Sequence, residues 1–301
     1  MISLAFTSLL GLSVGDAFGE SFFGKEVEII ERLNSRKLKE GLWEFTDDTV
    51  MAAAIYNQLI KHGQLIQDEL AREFSKNYVL DMNRGYGGTA HSILRNIGEG
   101  KNWKEVSKTV FDGMGSMGNG AAMRAAPIGA FFYNDIDKVI QQAILSAEIT
   151  HSHPEAICGA IAVAVAAQFA VIKKQNFSAA DFFQYLNQYL PDSDVKSKIA
   201  KASTLTSDID IRTAVSILGN GIKLTAQDTV PFALWCVANN SKNYEKALWT
   251  AVSALGDRDT ICAIVGSIVA LSADNETIPN NWIGQTERIE ESIFFDKGYT
   301  S

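Results

Sequence analysis

The chain has 301 residues, 47% hydrophobic and 21% charged with only five prolines, which excludes a disordered or fibrous protein and leaves long stretches for helices. A formal net charge of −8 and a pI near 5.1, with no basic stripe, exclude the counterion-displacing surface that nonspecific nucleic-acid binding needs.

Helical spacing dominates and strand-like alternation is almost absent, so an all-α fold is expected, a multilayer helical globule whose loops meet at a shared cleft. The N-terminal run MISLAFTSLLGLSVGDAFG is apolar but lacks a basic flank, and reads as a helix over 2–14 of the mature fold rather than a leader. Next comes Gly41–Ile55, GLWEFTDDTVMAAAI, which places Thr46, Asp47, Asp48 and Thr49 together where a helix over 48–61 begins. A Thr cap followed by two carboxylates satisfies free N–H groups and opposes the helix dipole, and capping alone explains one such site. Helices follow at 66–81, 88–98 and 103–109. Before the second of these, NRGYGGTA (83–90) offers Tyr86 either as a lid over a ligand or as part of an ordinary turn. The loop GMGSMGNGAAMR (113–124) leads into a helix expected at 119–132, and its glycines would let backbone N–H groups approach a phosphate. With no preceding strand and no GK[ST] it is neither a Walker A nor a Rossmann fingerprint, and a flexible connector is the alternative.

Helices are next expected at 135–150 and 154–173. Between them His151 and His153 flank Ser152, where histidines cap a helix, line a cleft or hold a metal; His91 has no acidic partner near it in sequence. The stretch AICGAIAVAVAAQFAVI (156–172) approaches the length of a membrane span, but its alanines and Gln168 point to a buried central helix. Helices at 178–189, 193–204, 210–219, 228–239, 243–254 and 259–271 complete the chain. No linker interrupts them, so a single domain over 1–301 is expected. Cys158, Cys236 and Cys262 are odd in number, far apart and set in apolar sequence, as in core thiols of a reducing, cytoplasmic compartment.

The last of these helices repeats the feature of the second. In ALGDRDTICAIV (254–265), Asp257, Asp259 and Thr260 crowd a first helical turn. Brought face to face, the two acidic turns would repel and raise each other's pKa, and a hard divalent cation would relieve that. Carboxylate and hydroxyl oxygens without His or Cys suit Mg²⁺, Mn²⁺ or Ca²⁺, whereas Zn²⁺ normally recruits nitrogen or sulfur. Spacing alone leaves ordinary capping as the alternative, because it does not show whether the turns meet.

Taken in order, GLSVGDAFGE, WEFTDDTVMA, RGYGGT, GSMGNGAAMRAAPIGAFF, SAEITHSHPEAICGAIAVA and GDRDTICAIVGSIVA resemble the ADP-ribosylglycohydrolase family, from about residue 3 to 272. The resemblance implies an orthogonal multi-helix globule holding two Mg²⁺ or Mn²⁺ ions. It makes Thr46, Asp47, Asp48, Asp257, Asp259 and Thr260 the metal ligands, with Asp48 and Asp257 also the carboxylates assigned to catalysis. It places Gly115, Ser116, Met117, Gly118 and Asn119 around the ADP-ribose pyrophosphate, His151 beside the distal ribose, and Gly85, Tyr86 and Gly87 in the wall around the substrate. The implied reaction is hydrolysis at the anomeric carbon of an ADP-ribosylated protein side chain such as arginine, with no nucleic-acid or membrane partner. Two positions depart from the pattern. Phe23 stands where members carry Glu, with Glu20 and Glu26 nearby but unaligned. Arg258 replaces the Thr of GDTDT and would pair with the surplus carboxylates or reach a phosphate. A binding or immunity-type protein that captures ADP-ribose or an ADP-ribosyltransferase with little turnover is the alternative implied by Phe23.

Overall fold

The structure, a computed structural model, describes residues 2–273 and 278–296; the remainder of the span expected as a single domain lies outside the described residues. Among the described residues no strand forms, and only the isolated bridge pairs Trp43–Thr286 and Gly118–Thr225 have extended pairing. The fold is all-α. Its first half comprises α1 (Ile2–Glu20), α2 (Glu26–Ser35), α3 (Asp47–His62), α4 (Gln67–Leu80), α5 (Gly88–Gly98), α6 (Trp103–Thr109), α7 (Ala126–Phe131) and α8 (Ile136–Glu148). The second comprises α9 (Pro154–Lys173), α10 (Ala179–Tyr189), α11 (Asp194–Ala202), α12 (Ile211–Leu218), α13 (Ala226–Asn240), α14 (Tyr244–Val252), α15 (Arg258–Ser272) and α16 (Asn280–Gln285).

The central pair is α1 and α15, which run antiparallel in unusually close contact. Gly11, Gly15 and Gly19, one turn apart along α1, face Gly266, Cys262 and Arg258 of α15, and a Cβ on Gly15 would collide with the carbonyl of Cys262. Tyr244 adds a bond from its hydroxyl to the Gly11 carbonyl, 2.7 Å. The helix expected at 2–14 continues through Gly15 and Gly19 to Glu20, because their missing side chains admit the partner helix. This register sets Asp16 and Asp259 near one another. Gly15→Ala should therefore force the helices apart and lower stability by about 1–3 kcal/mol, read as a shifted urea midpoint; an unchanged midpoint would show that the crossing has slack.

The α9 helix is long and apolar enough to cross a membrane, but 83% of that stretch is buried. Helices α7, α8, α13 and α15 pack around it, which is what a helix apolar on every side requires. The three cysteines are buried and unpaired, as their apolar settings indicated. At the other end, Trp282 of α16 stacks on Phe18 of α1 with ring centroids 4.5 Å apart. Trp43 exchanges backbone bonds with Gln285 and Glu287, both 2.8 Å, so the segment leading into α3 is fastened to the C-terminal region.

Two helices went unread in the sequence, α2 and α16. In α2, EVEIIERLNS, the apolar residues Val27, Ile29, Ile30 and Leu33 are scattered among charges, and only Ile29 is buried. The helix expected at 119–132 is instead a 3₁₀ turn at Asn119–Ala121 followed by α7. Pro127 lacks an N–H and fits the first turn of a helix, where none is needed, but not the interior of a longer one.

Candidate active site

The starts of α3 and α15 meet. Thr260 donates from Oγ1 to Asp48 Oδ2 at 3.4 Å, across 212 residues of sequence. Asp47, Asp48, Asp257, Asp259 and Thr260 all line one cavity of about 500 Å³. Capping does not consume these carboxylates. At α3 the hydroxyl of Thr46 accepts from Asp48 N, and at α15 the cap residue Asp257 makes no side-chain cap bond at all. Two oxygens, Asp48 Oδ1 and Asp259 Oδ1, are buried with no hydrogen-bond partner among the described residues.

Electrostatics tell the same story. Burial pushes Asp47, Asp48 and Asp257 well above the usual carboxylate range, and the Asp259 charge raises all three further. Asp16 adds to the effect at Asp47 and Asp48. Buried carboxylates with partnerless oxygens are costly unless a cation or donor answers them. Among the described residues no group of three or more His, Cys, Asp or Glu side chains is gathered closely enough to hold a metal ion as it stands; the aspartates instead line a shared cavity. An all-oxygen donor set with unanswered buried oxygens fits a hard divalent ion.

Two residues hold this arrangement from behind. Asp16, on α1 and wholly buried, accepts from both Thr46 N (2.9 Å) and Thr49 N (3.1 Å), and from the hydroxyls of Thr46 (2.8 Å) and Thr49 (2.6 Å). It thereby fixes the first turn of α3, which carries Asp47 and Asp48. Burial raises its pKa to about 7 even against the Thr49 hydrogen bond. Asn119 donates to Asp257 Oδ2 (2.5 Å) and to Thr229 Oγ1 (2.9 Å), so it orients a site carboxylate. Neither role was visible in sequence, because the partners lie 30 or more residues away.

The other expected site residues divide. Gly85, Gly87, Gly115, Ser116, Met117, Gly118, Asn119 and His151 line the cavity; Thr46, Tyr86 and Arg258 do not. Thr46 stands behind, bonded to Asp16 and Asp48. Gly85 sits at φ +87°, a left-handed conformation that glycine adopts without strain, while a Cβ there would meet Asp47 Oδ1 at an ordinary contact distance of 3.4 Å. Tyr86 turns inward to meet Tyr78 edge-on at 5.2 Å. In the glycine loop the N–H groups of Gly115, Gly118 and Asn119 are already engaged, by Val110 O, Ser116 Oγ and Leu224 O. Within Gly115–Asn119 that leaves the N–H groups of Ser116 and Met117 without a partner among the described residues. His153 caps α9 by accepting from Glu155 N (3.1 Å), and His91 pairs with the Tyr78 hydroxyl (2.9 Å).

The two departures from the family pattern touch each other. The Arg258 guanidinium lies 4.8 Å from the centre of the Phe23 ring and donates to the carbonyls of Phe22 (2.6 Å) and Leu255 (3.1 Å). It makes no hydrogen bond to the site carboxylates. Glu20, in the last turn of α1, is the carboxylate nearer the site; although its side chain reaches the surface, partial desolvation and the Asp259 charge push it up to about 7.

A family model described as ADP-ribosylglycohydrolase matches residues 2–297. An uncharacterized protein of Archaeoglobus fulgidus is 31% identical over 91% of this chain and 88% of its own length. ADP-ribosylhydrolase ARH3 of Xenopus tropicalis is 29% identical over 91% and 88%, and that of Homo sapiens 28% identical over 82% and 76%. A solved structure described as an ADP-ribosylglycohydrolase-related protein complex superposes with a TM-score of 0.65 at 22% identity, covering 95% of this chain and 93% of that one, a likeness of fold. With two acidic helix starts drawn to one cavity and a family match along nearly its whole length, the chain belongs to the ADP-ribosylglycohydrolase family.

Proposed function

We propose that this protein is a metal-dependent hydrolase that cleaves the glycosidic bond between the distal ribose of an ADP-ribosyl group and its acceptor, a protein side chain such as arginine. The observation that carries the proposal is the pair of buried, partnerless oxygens, Asp48 Oδ1 and Asp259 Oδ1, at the meeting of the two helix starts. Two Mg²⁺ or Mn²⁺ ions would be held by Asp47, Asp48, Asp257, Asp259 and Thr260, with Thr46 bracing Asp48. When bound, such ions lower the pKa of a water and hold substrate hydroxyls. Asp48 and Asp257 are the carboxylates proposed to take the proton of the attacking water, Asp257 being oriented for it by Asn119.

The rest of the cavity suits a nucleotide. The N–H groups of Ser116 and Met117, lining the cavity without a partner among the described residues, would donate to pyrophosphate oxygens, with His151 beside them. Phe111, Met114 and Leu224 form an apolar rim, each more than half exposed, that would take the flat face of a base. The test is release of ADP-ribose from ADP-ribosyl-arginine and from an O-linked ADP-ribosyl serine. Release should require added Mg²⁺ or Mn²⁺ and stop with EDTA. Undiminished release in EDTA would remove the metal from the proposal, and tight ADP-ribose binding without release would favour a binding protein.

A further inference from the structure

Arg124 is the one arginine among the described residues with no exposed surface, and none of its hydrogen bonds goes to a carboxylate. Its guanidinium lies 4.5 Å from the centre of the Phe74 ring and donates to Ser146 O (2.7 Å) and Thr150 Oγ1 (2.9 Å). A guanidinium has five donors and no acceptor, so the Thr150 oxygen must give it a lone pair. The same oxygen lies 2.7 Å from His151 Nδ1.

That geometry decides where the imidazole proton resides. Thr150 is 1% exposed, and among the described residues its hydroxyl has no other acceptor. Were Nδ1 protonated, both neighbours of the oxygen would be donors and the hydroxyl proton would be stranded, at about 1–3 kcal/mol for an unsatisfied buried group. With Nδ1 bare, the chain Arg124 to Thr150 to His151 is donor to acceptor throughout. The proton is then on Nε2, the nitrogen packed against the glycine loop: a Cβ built on Gly118 would be 2.9 Å from it, and one on Gly120 3.1 Å. Burial, reinforced by the Arg124 charge, pushes His151 down to about 3, so the ring does not take a second proton at neutral pH.

We infer that Thr150 is a positioning residue: held by Arg124, its hydroxyl fixes His151 as the Nε2–H tautomer, so the cavity meets an uncharged hydrogen-bond donor suited to a ribose hydroxyl or a phosphate oxygen. The tautomer stands on the hydrogen-bond geometry alone; its bearing on substrate rests on the ADP-ribosyl reading above.

The test is ¹⁵N–¹H correlation of the histidine rings in the full-length protein, with His151 assigned through His151→Gln, alongside titration with ADP-ribose. The wild-type protein should show a protonated Nε2 and a bare Nδ1. Thr150→Val should lose the single tautomer and weaken ADP-ribose binding by about tenfold, the loss of one hydrogen bond's orientation. Thr150→Ser, which keeps the hydroxyl, should restore the wild-type pattern. A protonated Nδ1 in the wild type, or an unchanged tautomer in Thr150→Val, overturns the inference; if Thr150→Val does not fold, the wild-type spectrum decides alone. A wild-type protein that shows protonated Nε2 but does not bind ADP-ribose upholds the tautomer and sinks the functional reading instead.

Discussion

Replacing Asp48 by asparagine is expected to lower turnover of an ADP-ribosyl substrate by about a thousandfold while raising the melting temperature of the metal-free protein at pH 8. The two effects have one cause. Asp48 is 1% exposed, and burial together with the charges of Asp16, Asp259, Asp47 and Asp257 opposes its ionisation. An amide keeps the size and can still accept from Thr260, but it removes a buried negative charge from a crowd of them. It also removes the anionic oxygen that a divalent ion needs. Wild-type protein should gain stability from Mn²⁺, about 2.7 kcal/mol at a hundredfold excess over the dissociation constant, and the variant much less. Thermal scans of both proteins in EDTA and in MnCl₂, paired with single-turnover assays, separate the outcomes. A variant that turns over normally would remove Asp48 from the site; one that melts lower in EDTA would show that the carboxylate stabilises the fold rather than straining it.

How far this site could be read from the chain depends on distance along it. TDDT at 46–49 and GDRDT at 256–260 were legible because each compresses its signal into a single turn, with more acid than a cap uses. That the two turns meet was not legible from spacing; it follows from the glycine stripe on α1, which lets α15 approach. Arg258 was expected to reach the carboxylates or a phosphate, since charge alone points it there. It is instead occupied by the carbonyls of Phe22 and Leu255 and the ring of Phe23, none of which is near it in sequence except Leu255. The expected helices are nearly all present. Those missed are short or polar, the helix expected at 119–132 was split ahead of Pro127, and the one expected at 2–14 runs on to Glu20. Arg124, Thr150 and His151 illustrate the remaining gap: the relay joins the end of a glycine loop to the start of ITHSHP, 26 residues on, through polar contacts that carry no periodic signature.

Asp16 should behave oppositely to Asp48, although both are buried carboxylates of one network. Every oxygen lone pair that matters on Asp16 is answered by a donor: the N–H groups of Thr46 and Thr49 and both threonine hydroxyls. Asp16→Ala strands the first N–H groups of α3 in a buried place and is expected to cost about 3 kcal/mol or more. Asparagine is graded between. With its oxygen in the Oδ2 position it keeps the three bonds from Thr46 N, Thr49 N and Thr49 Oγ1. Its amide then faces the Thr46 hydroxyl, which can turn its own proton to Asp48 Oδ2, 3.2 Å away. The expected cost is about 1 kcal/mol. Urea unfolding of the two variants reads this order directly, and Mn²⁺ should not restore the alanine variant, because the damage lies in the helix start rather than in charge balance. Equal losses for asparagine and alanine would mean that the negative charge of Asp16, not its hydrogen-bond geometry, fixes the turn that carries Asp47 and Asp48.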